Sequence, residues 1–285
     1  GDRTMERSLK KYFPLFVLPT SLAFVIAFLA PFLIGLYLSF AEFTTILDAE
    51  FVGLKNYQRA LDAGDGFVSS FGFTLLVVVV SVVTVNLFAF GIAKLLTQKL
   101  AGTNVFRTIF FMPNLIGGIV LGYTWQSIIN AILVNYGTTI VAKWEYGFAG
   151  LIVLINWQQV GYMMVIYIAG LQSVPPELIE AAEIDGAGRW EVLRNVTIPM
   201  IMPTITICLF LTMSNSFKLF DQNLALTAGA PLGKTEMVAL NIFNTMFGRV
   251  GTEGVGQAKA VLFVVVVVVI AMFQLRATRS REVEA

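Results

Sequence analysis

Six stretches of this chain contain no Asp, Glu, Lys or Arg: residues 12–41, 67–93, 108–142, 146–176, 195–217 and 260–275. A helix needs roughly 20 apolar residues to cross a hydrocarbon layer about 30 Å thick, and five of the six meet that length. The sixth reaches it by running back to Val255, with Lys259 snorkelling its ammonium to the interface. So much apolar length leaves no surface for water. Of the 285 residues 57% are hydrophobic and 13% are charged, about half the ~25% charged residues of a soluble domain. The valine runs 77–80 and 264–269 favour strands in water, but in lipid the backbone must satisfy its own hydrogen bonds, so helix wins. Stretches this continuous also lack the alternation of a membrane barrel. The expected fold class is an all-α membrane protein with six transmembrane helices.

Lys and Arg set the orientation. With the N-terminus inside, twelve cations fall inside: Arg3, Arg7, Lys10, Lys11, Lys94, Lys99, Arg107, Arg189, Arg194, Arg276, Arg279 and Arg281. Outside fall Lys55, Arg59, Lys143, Lys234 and Arg249, with Lys218 and Lys259 near outer span ends. That bias obeys the positive-inside rule and puts both termini in the cytoplasm. The expected organisation is a polar cytoplasmic start (1–11) and one six-helix domain (12–285) that ends in a short cytoplasmic tail (276–285). The first apolar run is too long for the ~7–15-residue core of a cleaved leader.

Composition also excludes chemistry. There is no histidine and one cysteine, Cys208, so disulfides, His-ligated metals, zinc clusters and Ser–His or Cys–His catalysis are not expected. A net charge of +1 gives no basic footprint for nucleic acid. Prolines and glycines interrupt several spans: Pro19 and Pro31 in the first, Pro113 with Gly117, Gly118 and Gly122 in the third. They serve either close helix packing or a bend that lines a pathway.

One polar segment, residues 174–199, does not read as a plain loop. Pro175-Pro176 suits a helix start, Glu177 and Glu180 suit the positive end of its dipole, and Gly186 and Gly188 stop it. Residues 189–196 can form a second short helix, and Pro199 opens the fifth span. The acidic residues Glu177, Glu180, Glu183, Asp185 and Glu191 outnumber Arg189 and Arg194. The small pair Ala181-Ala182 permits close docking into another chain; the alternative is a solvated connector.

Here the sequence resembles a known family. Glu180-Ala181-Ala182, then three residues, Gly186, nine residues and Val196-Thr197-Ile198-Pro199 resemble the EAA loop of binding-protein-dependent ABC importer permeases. Asp185-Gly186-Ala187, the run 106–114 (FRTIFFMPN) and Phe220-Asp221-Gln222 with Leu226-Thr227 resemble the carbohydrate-importer branch, of MalF/UgpA/MsmF type. The resemblance implies a type I permease fold in a bacterial or archaeal cell (inner) membrane. It implies a second homologous permease chain, two ATPase subunits, an extracellular or periplasmic solute-binding protein and a sugar substrate. In that reading Glu180, Ala181, Ala182, Asp185, Gly186 and Pro199 couple the chain to the ATPase. ATP and Mg would be used by those partners, and this chain would bind no cofactor. It has no phosphate loop of its own: Gly233-Lys234-Thr235 is a near miss, because Gly229 lies one residue too close.

A sugar is held by hydrogen bonds to hydroxyls and by aromatic faces. The candidates for its pathway are Asn86, Gln126, Asn156, Trp157, Gln159, Tyr162, Asn215 and Phe217, with Trp125, Asn130, Gln158 and Gln222 beside them. An ion pair between Lys218 and Asp221, three residues apart, is expected to cap span five. The rival reading is an ion-gradient-driven secondary transporter, but no carboxylate lies inside the six spans to carry coupling.

Overall fold

The computed structural model describes residues 2–62, 64, 66–98 and 102–280, with side chains from residue 12 onward. Lys99 and Arg281, and the side chains of Arg3, Arg7, Lys10 and Lys11, lie outside that description. Contacts divide the chain into two units, residues 1–65 with 242–262 and residues 66–241 with 263–285.

The first unit opens with α1 (Asp2–Phe24), a π-turn (Val25–Leu29) and α2 (Ala30–Leu38). The wide turn lies just ahead of Pro31, which lacks an N–H and crowds the carbonyl four residues back. Most Phe, Leu and Ile side chains of the apolar span Tyr12–Leu38 are exposed, and Leu38 at its end is buried. A short hairpin follows, β1 (Ala41–Glu42) antiparallel to β2 (Glu50–Phe51), with Ala41 opposite Phe51. Next comes α3 (Lys55–Ala60), whose buried Asn56 donates to the carbonyls of Ser39 at 3.1 Å and Ala41 at 2.8 Å. The unit also takes in most of α13 (Val238–Gly248) and the start of α14 (Glu253–Arg279). Lys259 corrects the sequence reading here. Its side chain is fully buried in the protein, and its Nζ donates to Thr245 Oγ1 at 2.6 Å.

The second unit is built round α4 (Phe67–Leu96) and α7 (Trp144–Gln172). Their shared core contains Phe73, Val77, Val85, Leu151, Leu154, Met163 and Tyr167. Between them run α5 (Thr103–Phe111), a 3₁₀ turn (Met112–Leu115) and α6 (Gly118–Leu133). After α7 come α8 (Pro176–Ile184), α9 (Arg189–Val192), a π-turn (Leu193–Thr197) and α10 (Ile198–Met200). Then follow α11 (Met202–Phe217) and α12 (Asp221–Leu226).

Among the described residues four helices are long and apolar enough to span a membrane unbroken, and two bent pairs bring the number to six where each pair crosses as one span. The bends refine the sequence reading. The third span is not one rod, because its halves meet at 102°. Pro113 sits in the 3₁₀ turn, and Ile116 and Gly117 are extended, with ψ of 133° and 142°. The fifth span is bent as well: residues 189–200 meet α11 at 72°. Pro203 in the first turn of α11 cannot donate to the carbonyl of residue 199, itself a proline, so the helix breaks at Ile201.

Candidate functional site

Two features outside ordinary helix packing stand out. The first is the segment between α7 and α11. α8 ends in a Schellman turn: Gly186 N–H donates to Glu183 O at 3.1 Å, and Ala187 N–H to Ala182 O at 3.0 Å. Gly186 has φ +87°, the left-handed region that favours glycine, and nothing lies within 4 Å of where its Cβ would be. Glu191 then caps α9 by accepting from the Gly188 N–H at 2.8 Å. Glu180, Ala181 and Asp185 are exposed, and Ala182 and Pro199 are half-buried. Beside the acids stand bare apolar side chains: Ile184 is 85% exposed, Trp190 69% and Leu178 43%. Sequence reasoning missed Trp190; its signal was an indole in a run otherwise rich in charge and glycine.

The second is a polar cavity of about 220 Å³, lined by Asn114, Gln158, Gln159, Asn215, Lys218, Leu219 and Gln222. Asn114 enters at the bend between α5 and α6. The two glutamines lie midway along α7, and the last three polar groups lie at the α11–α12 junction. Gly118 and Gly122 let α6 close on α12: a Cβ at either would stand 2.8 Å from Asp221 Cβ or 2.5 Å from Ala225 Cβ. Gln222 Nε2 donates to Gln158 Oε1 at 2.9 Å. Gln159 is 6% exposed, and among the described residues its Oε1 is buried without a hydrogen-bond partner. A buried acceptor left without a donor costs about 1–3 kcal/mol. The volume is below the ~300–1,000 Å³ of pockets that enclose a ligand.

Residues 100–281 match the sequence profile of the family described as binding-protein-dependent transport system inner membrane components. The chain belongs to this permease family. It is 44% identical over 278 residues to the probable starch degradation products transport system permease protein AmyD of Thermoanaerobacterium thermosulfurigenes, covering 95% of this chain and 94% of that one. The multiple sugar-binding transport system permease protein MsmF of Streptococcus mutans is 28% identical, over 98% and 100% of the two chains. A solved bacterial ABC transporter that imports the acidic polysaccharide alginate shares the fold, with TM-score 0.80 over 97% of this chain and 99% of that one, at 21% identity.

The permease brings together only some of the residues expected on the pathway. Gln159 and Asn215 line the polar cavity with Gln158 and Gln222. Asn86 is elsewhere: it donates to Val82 O at 2.8 Å and Thr212 Oγ1 at 3.2 Å, and accepts from Tyr167 Oη at 2.8 Å. Gln126 donates to Leu226 O at 2.9 Å, and Asn130 Oδ1 accepts from the Ile140 N–H at 2.8 Å. Asn156 donates to Thr84 Oγ1 at 2.9 Å and lines, with Trp157, a separate apolar cleft of about 250 Å³. None of the expected stacking rings lines the polar cavity. Phe217 is fully buried against Phe263, Tyr162 leans on Phe111, and Trp125 meets Trp157 edge-on at 5.6 Å. Lys218 lines the cavity, and among the described residues no ion pair joins it to Asp221. Asn114, missed by sequence reasoning, was marked by its place after Pro113 in an apolar run.

Proposed function

We propose that this permease forms half of the translocation pathway of an ATP-driven saccharide importer. Residues 174–199 would be its handle for a cytoplasmic ATPase, with Glu180, Ala181, Ala182, Asp185, Gly186 and Pro199 shaping that handle. The single observation that carries this is the α8–α9 head, where Leu178, Ile184 and Trp190 stand bare among carboxylates between two membrane spans. An exposed apolar patch rimmed by charge is a docking surface. ATP-driven closure of two ATPase subunits would push this head and its counterpart on a second permease chain, rocking the spans about the amide-lined cavity. A solute-binding protein would deliver the sugar from outside, and both termini would be cytoplasmic, as the cation count supports. The amides fit hydroxyls, and the AmyD relative favours starch-derived oligosaccharides. The chain would hold no cofactor, with ATP and Mg on the partner subunits.

Uptake of maltodextrins into vesicles carrying the assembled complex tests this. Uptake should require ATP on the ATPase side and survive an ionophore. Uptake that ignored ATP and collapsed with the ion gradient would make the chain a secondary transporter instead.

A further inference from the structure

The two roots of the 174–199 loop touch each other. Gly170, buried in the last turn of α7, faces Thr204 in the first turn of α11. A Cβ at residue 170 would stand 2.8 Å from Thr204 Cγ2, 2.9 Å from its Cβ and nearer still to its Oγ1. Carbon pairs settle at about 3.5–4.0 Å, so no side chain fits there. Ser173 Oγ fixes the same turn by donating to Gly170 O at 2.7 Å. Around this point Val174, Val192, Leu193 and Ile201 are buried, whereas Ile184 and Trp190 farther out are exposed. The loop therefore has a packed root and a bare head.

From this contact both arms lead to the cavity over equal lengths. Gln159 lies eleven residues back along α7, and Asn215 lies eleven residues on along α11. At ~1.5 Å per residue each is roughly 16 Å from the root. We propose that Gly170 and Thr204 are positioning residues: their contact makes the coupling head, α7 and α11 move as one body, so that a push on the head reaches Gln159 and Asn215 together. A gap or a wedge at the root would let the head move while one cavity wall stayed behind. This inference rests on reading the loop as a motor-driven handle.

The test is maltodextrin uptake per ATP hydrolysed by the full complex in vesicles. Compared with the native complex are Gly170→Ala, Thr204→Gly and the double variant. Gly170→Ala wedges the root, and Thr204→Gly empties it. Each single variant should keep ATP hydrolysis and lose about tenfold in uptake per ATP. In the double variant the new methyl fills the space left by the threonine, so the ratio should recover toward native. A structural role alone would lower assembly and ATP hydrolysis together with uptake, and leave uptake per ATP native. A native ratio in the single variants, or a double variant no better than either, overturns the proposal. If Gly170→Ala fails to assemble, Thr204→Gly decides alone, because a native ratio there is also fatal. A native complex without ATP-dependent uptake would sink the handle reading rather than this contact.

Discussion

Tyr167 on α7 donates a 2.8 Å hydrogen bond to Asn86 Oδ1 on α4, and Asn86 passes its own amide to Thr212 on α11. Three spans are thus joined by side chains inside the apolar core. Hydrogen bonds between membrane helices average about 0.6 kcal/mol, with a ceiling near 1.7. Tyr167→Phe should lower the stability of the purified permease by about 1 kcal/mol, read as a shift in detergent-induced unfolding. Its sugar preference and KM should stay native. A changed preference would move Asn86 back onto the pathway.

Gln159 should behave in the opposite way. Among the described residues its Oε1 is a buried acceptor without a hydrogen-bond partner, so removing it relieves a desolvation cost. Gln159→Leu should leave stability unchanged or raise it, while weakening transport about tenfold through a lost hydroxyl contact. Unfolding and uptake KM, measured on the same preparation, separate the two effects. Loss of stability with native KM would make Gln159 a packing residue.

The apolar spans and the short helices α8 and α9 were legible in the sequence because lipid imposes length and polarity on the former, and proline and glycine punctuate the latter. The bends were half legible. Pro113 and Gly117 marked where the third span would fail, Pro203 was passed over in the fifth, and a charge-free run cannot show that its halves turn by 102° or 72°. Which amides share a cavity was not legible. Asn86 and Gln159 are equivalent in a list of polar residues at membrane depth; they differ because Tyr167 and Thr212 bond to one, whereas among the described residues the Oε1 of the other has no hydrogen-bond partner. Lys259 misled for the same reason. Its burial depends on Thr245, fourteen residues away.

The hairpin between α2 and α3 should carry a pH signature. Asp48 accepts from the Thr44 hydroxyl and from the N–H groups of Thr44 at 3.0 Å and Thr45 at 2.8 Å. These bonds, the Thr44 hydroxyl first among them, hold its carboxyl below the usual range. A depressed pKa stabilises the turn at pH values above the ordinary carboxylate value of about 3.9, and that order is lost as pH falls through the lowered folded value. Amide exchange at Thr44 and Thr45 should therefore be slowed near neutrality and lose that protection only in acid below about pH 4. Asp48→Asn should abolish the step.

Gly186 tests the handle without touching its docking chemistry. Its φ of +87° lies in open space, so a substituted side chain meets no neighbour and the cost is conformational alone. Asparagine tolerates the left-handed region, alanine pays roughly 1 kcal/mol or more, and a β-branched residue pays more again. ATPase retention by the purified complex and uptake per ATP should both fall in the order Gly, Asn, Ala, Val, while membrane insertion stays native throughout. Ile184→Glu is the counterpart. It keeps the turn but puts charge on the bare apolar face, so ATPase subunits should be lost from the complex while α8 remains helical. If both the Gly186 series and Ile184→Glu left ATPase retention unchanged, the head would be a solvated connector, and the motor would have to grip the permease elsewhere.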